Sequence, residues 1–164
     1  VDKHEGSYVP RHLDVRMPQL TTLRAGIAEA AMVSFEPHLI IVDRHPYGVN
    51  GELGKALSQV RRTNPGCKVV FGLRDVLDSP EAAAREWQAL GSLGHLREDF
   101  DEIWIYGDPN IHDPLATGEI PLALADRVRY TGYLSAGRPY AANSSTMEPS
   151  FLLTMAGADR TVWR

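Results

Sequence analysis

The feature that most constrains this chain is a recurring unit. A short apolar run rich in β-branched residues ends abruptly in polar residues or glycine, and a stretch with helical spacing follows. Leu39-Ile40-Ile41-Val42 runs into Asp43, and Lys68-Val69-Val70-Phe71 runs into Gly72. Glu102-Ile103-Trp104-Ile105-Tyr106 runs into Gly107, and Val128-Arg129-Tyr130-Thr131 into Gly132. Runs this short, this apolar and this β-branched are predicted to be strands buried on both faces. Helices between them imply crossover connections, hence a parallel sheet with right-handed crossovers. The predicted class is therefore α/β, a Rossmann-like parallel sheet with flanking helices.

The intervening segments support that class. Leu20, Leu23, Ile27, Ala30 and Ser34 recur at helical spacing. They predict an amphipathic helix over 17–35 whose apolar face is core, with Pro18 in its first turn and a stop before Pro37. Leu53, Ala56, Leu57 and Val60 mark a second helix, closed by Asn64-Pro65-Gly66. Ser79-Pro80-Glu81 opens a third with N-cap, proline and acid in order. Its stripe of Trp87, Leu90, Leu93, Leu96 and Phe100 reads as core, and Gly91 and Gly94 are positioned to divide it. A short helix is expected near 121–127. Residues 1–15 show no clear period and read as a loop or an entering segment. Residues 135–149 have linker composition, and Phe151–Met155 is a candidate fifth strand.

Bulk properties narrow the function. With 164 residues the chain is long enough for one domain with a real core. A net charge of -4 and the lack of a basic stripe argue against a nucleic-acid binder. Cys67 is the single cysteine, so an internal disulfide or a cysteine-rich zinc site is ruled out. A reducing, cytoplasmic setting is the expectation, with Cys67 as a buried small hydrophobe. The six histidines show no paired spacing for a metal, and no metal or cofactor is expected. The Gly-x-Ser-x-Gly elbow, the phosphate loop ending in Lys-Ser or Lys-Thr, and Gly-x-Gly-x-x-Gly are all missing.

Parallel sheets bind ligands just past the carboxyl ends of their strands, so the strand ends hold the candidate residues. Asp43-Arg44-His45-Pro46-Tyr47-Gly48 puts a carboxylate, a guanidinium and an imidazole on one loop. Glu52 then opens a helix whose N-terminus suits an anion. The same residues also make an ordinary turn. Gly72-Leu73-Arg74-Asp75 offers Arg74 as a clamp for phosphate or a sugar acid, with Asp75 orienting it. A structural Arg–Asp pair fits equally well. Tyr106-Gly107-Asp108-Pro109 is a third cluster, and there turn chemistry is the stronger reading. His112 in that loop reads as a lone, structurally satisfied histidine.

Taken together and in order, these clusters resemble a known family. Val42-Asp43-Arg44-His45-Pro46-Tyr47-Gly48 with Gly51-Glu52-Leu53, then Gly72-Leu73-Arg74-Asp75-Val76-Leu77-Asp78, is the first half of the pattern. Tyr106-Gly107-Asp108-Pro109, then Arg129-Tyr130-Thr131-Gly132-Tyr133-Leu134, completes it. The series resembles a bacterial family of predicted glycosyltransferases, itself similar to the UDP-N-acetylglucosamine transferase of peptidoglycan synthesis. The likeness runs from about residue 37 to 134. It implies the GT-B plan of two Rossmann-like domains facing across a cleft, with no metal in the chemistry. The partners it implies are a nucleotide-sugar donor and a small-molecule or lipid-linked acceptor, with peripheral membrane contact possible in the parent.

On that resemblance the chain is a fragment. Residues 1–134 correspond to part of the N-terminal, acceptor-side domain, 135–149 to the interdomain linker, and 150–164 to the truncated start of the donor domain. A Gly-rich strand and loop would precede Val1. Asp43 and His45 are the candidate catalytic residues, since either can take a proton from an acceptor hydroxyl. Arg44, Gly48, Glu52, Arg74, Asp75, Tyr106 and Asp108 are the candidate substrate-binding residues. Two alternatives stand beside this one. A nucleotide-sugar epimerase or hydrolase would share the architecture, and a non-catalytic α/β binding module would show a closed sheet with no strand missing.

Overall fold

The computed structural model describes residues 2–4, 7–10, 14–133 and 151–155, with side chains described for 9, 10 and 14–133. Two short strands come first, β1 (Asp2–His4) and β2 (Ser7–Val9), paired antiparallel with Asp2 opposite Val9. Within the stretch expected to be a loop or an entering segment, residues 2–4 and 7–9 are paired strands instead. Three residues per strand are too few to print an alternation in the sequence.

The main body alternates as expected. Helix α1 (Met17–Phe35) leads into β3 (Leu39–Asp43), a 3-10 turn at Val49–Gly51, and α2 (Gly54–Thr63). Then come β4 (Lys68–Arg74), α3 (Pro80–Ala89), α4 (Leu93–Asp99) and β5 (Glu102–Tyr106). A second 3-10 helix (Leu122–Arg127) precedes β6 (Val128–Tyr130), and β7 (Phe151–Met155) is last. The expected long third helix is divided at Gly91, whose φ of 84° suits glycine. Both halves carry serine caps: Ser79 Oγ accepts from the Ala82 N–H at 3.3 Å, and Ser92 Oγ from the Gly94 N–H at 3.1 Å.

β3 to β7 form one parallel sheet in the order β6-β5-β4-β3-β7. From β3 to β6 every crossover steps the same way across the sheet. Right-handed crossovers that all step one way put all their helices on one face. The core agrees. Ile40, Val42, Val69, Phe71, Leu73, Ile103, Ile105 and Val128 form a single cluster with Leu57, Val60, Trp87, Leu96 and Leu124 from the helical segments. In the register these strand residues are neighbours and point to the same face. Cys67 is buried in this cluster, and burial raises its thiol pKa.

Two sequence expectations are corrected here. β3 and β5 alternate between buried and half-buried positions rather than being covered on both faces. β4, the central strand of the sheet, is the one with a continuous buried run. The second correction concerns α1, whose expected apolar stripe is not core. Leu23 is 53% exposed and Ile27 61%, and Ala30 and Ser34 are exposed too. The helix instead buries Leu20 and Met32 and packs against α2. On the same side Arg24 pairs with Glu52, and Glu29 with Lys55 at 2.8 Å. Among the described residues, no helix is long and apolar enough to cross a membrane.

Candidate active site

β3 ends in Asp43, and the chain turns at once. Arg44 adopts a left-handed backbone, φ 63°, which costs a non-glycine residue on the order of 1 kcal/mol. Its N–H donates to the Gly72 carbonyl at 2.9 Å, and the His45 N–H donates back to the Asp43 carbonyl at 2.8 Å. Gly48, Asn50 and Gly51 also have positive φ, so the loop curls tightly into α2. Gly48 is required there. A Cβ would lie 2.9 Å from both Glu52 Cγ and Leu53 Cγ.

In the register Asp43 faces Gly72, and Gly72 faces Trp104. The missing side chain at Gly72 lets the ring of Tyr106 lie across β4. A Cβ on Gly72 would stand 2.0 Å from the Tyr106 hydroxyl. That hydroxyl lies within the field of Asp43; burial and then the Asp43 charge raise its pKa. Burial likewise raises the Asp43 carboxyl, against the opposing pull of Arg74, Arg44 and His45. Arg74 closes β4 on the same face as Gly72 and is exposed. Asp43, Arg44, His45, Arg74 and Tyr106 therefore come together beyond the strand ends. A carboxyl held above its ordinary range beside an imidazole and two guanidiniums is suited to proton transfer near an anion.

The remaining candidates are placed differently. Glu52 is not at the cleft. It is 5% exposed, and its two oxygens take the Arg24 Nε (2.5 Å) and Nη2 (2.7 Å). Its part is to lock the loop to α1. Asp108 accepts from the backbone and side chain of Asn110 at 2.8 and 2.9 Å, which is turn chemistry. Asp75 accepts from the Tyr133 hydroxyl at 2.8 Å, and this bond holds its carboxyl below the usual range. Asp75 also presses on Gly107, where a Cβ would lie 2.5 Å from Asp75 Cβ. The loops after β4 and β5 are thus joined at a glycine.

On the helical side of the same loop lies a cleft of about 210 Å³ between β4 and α3. Phe71, Leu73, Ala83 and Trp87 line it, and Arg44, His45 and Glu86 stand at its polar end. Arg44 Nη2 lies 3.8 Å from Glu86 Oε1, a loose and largely exposed pair.

One buried acid went unread in the sequence. Glu119 is 3% exposed and ties three segments together. It accepts from the Leu77 N–H (2.8 Å) and the Thr117 hydroxyl (2.8 Å), and it pairs with His112 Nε2 (2.7 Å). Its backbone carbonyl takes the Trp87 indole N–H at 2.7 Å. Burial raises the Glu119 carboxyl, but these partners outweigh it and hold the pKa below the ordinary value. No local pattern marks Glu119, because its burial depends on segments that arrive from more than thirty positions away. Among the described residues, no three His, Cys, Asp or Glu side chains are grouped so as to hold a metal ion.

No family model, curated protein or solved structure matches this chain.

Proposed function

We propose that this chain supplies the acceptor-side wall of a glycosyltransferase that uses a nucleotide-diphosphate sugar. Two things support the reading: the ordered motifs described above, and the cluster of Asp43, Arg44, His45, Arg74 and Tyr106 past the carboxyl ends of parallel strands. The observation that carries most weight is the gathering of His45, Arg44 and Arg74 around the Asp43 carboxyl at the end of β3. In the proposed reaction Asp43 or His45 takes the proton of an acceptor hydroxyl, and Arg44 and Arg74 face the negative charge of the departing diphosphate. The second, donor-binding domain belongs to the longer parent protein in this reading.

The test is UDP release from UDP-sugars by that parent, with and without an acceptor. Acceptor-dependent release is expected, reduced by about 10²–10⁴-fold in Asp43→Asn or His45→Ala. The 164-residue chain alone should transfer nothing. Release that ignores the acceptor would favour the epimerase or hydrolase, and the transferase reading would fall.

The binding-module reading has one observation of its own. The open edge that a missing strand would leave on β3 is occupied by β7, paired in register from Leu39–Phe151 to Asp43–Met155. A ligand bound by the isolated chain, with no turnover in the parent, would favour that module.

A further inference from the structure

We infer that the acceptor is a small hydrophobic alcohol or phenol, bound in the cleft between β4 and α3 with its hydroxyl directed at His45. The inference rests on the proposed sugar transfer and adds the acceptor's chemical class.

The cleft is polar at one end only. Its buried walls are Phe71, Leu73, Ala83 and Trp87. Trp87 offers no donor to a ligand, because its indole N–H is already bound to the Glu119 carbonyl. A sugar or peptide acceptor would leave hydroxyls or amides against this wall without partners, at the loss of their water. An apolar body loses nothing there and gains burial. Size points the same way. An apolar cavity of about 150 Å³ accommodates benzene, so 210 Å³ suits one substituted or two fused rings.

The polar end supplies the direction. His45 lines the cleft, and it also sits close enough to Asp43 to pull on its carboxyl. A hydroxyl at this end of the cleft therefore meets His45, with Arg44 beside it. In the proposed step the acceptor oxygen bonds to the anomeric carbon of the donor. The bond from that carbon to the diphosphate breaks, and the nucleoside diphosphate leaves with the electron pair. The hydroxyl proton passes to His45, which lines the cleft. No oxidant or metal enters the balance.

The probe is 2-naphthol, titrated into the 164-residue chain and followed by NMR at the Ala83 methyl and the Trp87 indole. Saturable one-to-one binding that shifts both signals is expected, with no such shifts from methyl N-acetylglucosaminide. Ala83→Leu fills the buried wall, and Leu77→Trp covers the cleft from its partly exposed rim. Each should weaken naphthol binding at least tenfold. Thermal melting verifies folding, and the rim variant keeps the test valid if the buried one fails to fold. Naphthol that leaves both signals unmoved, or binds a folded filled variant as tightly as the wild type, would overturn the inference. The parent protein separates the two readings. Naphthol bound in the cleft but never glycosylated removes the transferase and leaves an apolar-ligand site. Sugar transfer at an unchanged rate in the filled variants removes the hydrophobic acceptor and leaves the transferase.

Discussion

Two glycines show how much of the site depends on single positions. Gly72 and Gly107 both lie where a Cβ would collide, but with different neighbours. At Gly72 the obstacle is the far end of Tyr106, which can swing aside. At Gly107 it is Asp75 Cβ, which is fixed to its backbone. Gly72→Ala should therefore cost about 1–2 kcal/mol, and Gly107→Ala about 3, by urea denaturation. In a Tyr106→Ala background the Gly72→Ala penalty should largely vanish, while that of Gly107→Ala stays, as a double-mutant cycle would read. Asp43 yields a pH-dependent expectation. Its carboxyl is raised in the folded state, chiefly by burial, so folding favours the protonated form. That contribution is fully present below the unfolded carboxylate range and is lost as pH rises through the folded value. Asp43→Asn should thus melt higher than the wild type at pH 7, with the gap closing as pH falls. A lower melting temperature for Asp43→Asn at neutral pH would refute the raised carboxyl.

At the scale of elements, boundaries were legible and faces were not always. The bounds of α1 follow from Pro18 and Pro37, but its buried side does not follow from its apolar stripe. Leu23 and Ile27 look like core by spacing, yet they are exposed, while Leu20 and Met32 are buried and Arg24 and Glu29 pair with Glu52 of the loop and Lys55 of α2. α3 and α4 were easier, because a serine cap, a proline and a glycine break are local signals. Glu119 acts between elements, joining Leu77 after β4, Trp87 in α3 and His112 after β5. Glu119→Gln should destabilise the chain by about 2–3 kcal/mol, since it weakens charge-assisted bonds in a buried place. The wild-type contribution follows the lowered carboxyl: it is present above the ordinary carboxylate range and is lost as pH falls through the folded value. Calorimetric melting of both proteins from pH 7 down to pH 3 should therefore show the difference shrinking in acid.

For the whole molecule the deciding fact is that the helices gather on one face. The site straddles the two faces as a result. Asp43, Gly72, Arg74 and Tyr106 belong to the side opposite the core, while Arg44 and His45 reach round to the cleft over Phe71 and Leu73. β7 then matters for solubility as well as topology, because it pairs the edge of β3. A chain ending at residue 150 should expose that edge and self-associate. Size-exclusion chromatography of the shortened and full chains would show it, and a monomeric shortened chain would mean the edge needs no partner.

From sequence alone came the class of the fold, the places of the strands and helices from residue 17 onward, and the positions where polar residues cluster. These are set by local preferences: β-branched runs, caps, prolines and glycines. Tertiary structure decided which of those polar residues share a site. Glu52 and Asp108 stand in strand-end clusters in the chain as Asp43 and Arg74 do, yet one is buried on Arg24 and the other closes a turn with Asn110. It also decided that the main core cluster of the described residues lies on one face of the sheet, because the direction of each crossover is a property of how strands are ordered, not of any segment read by itself.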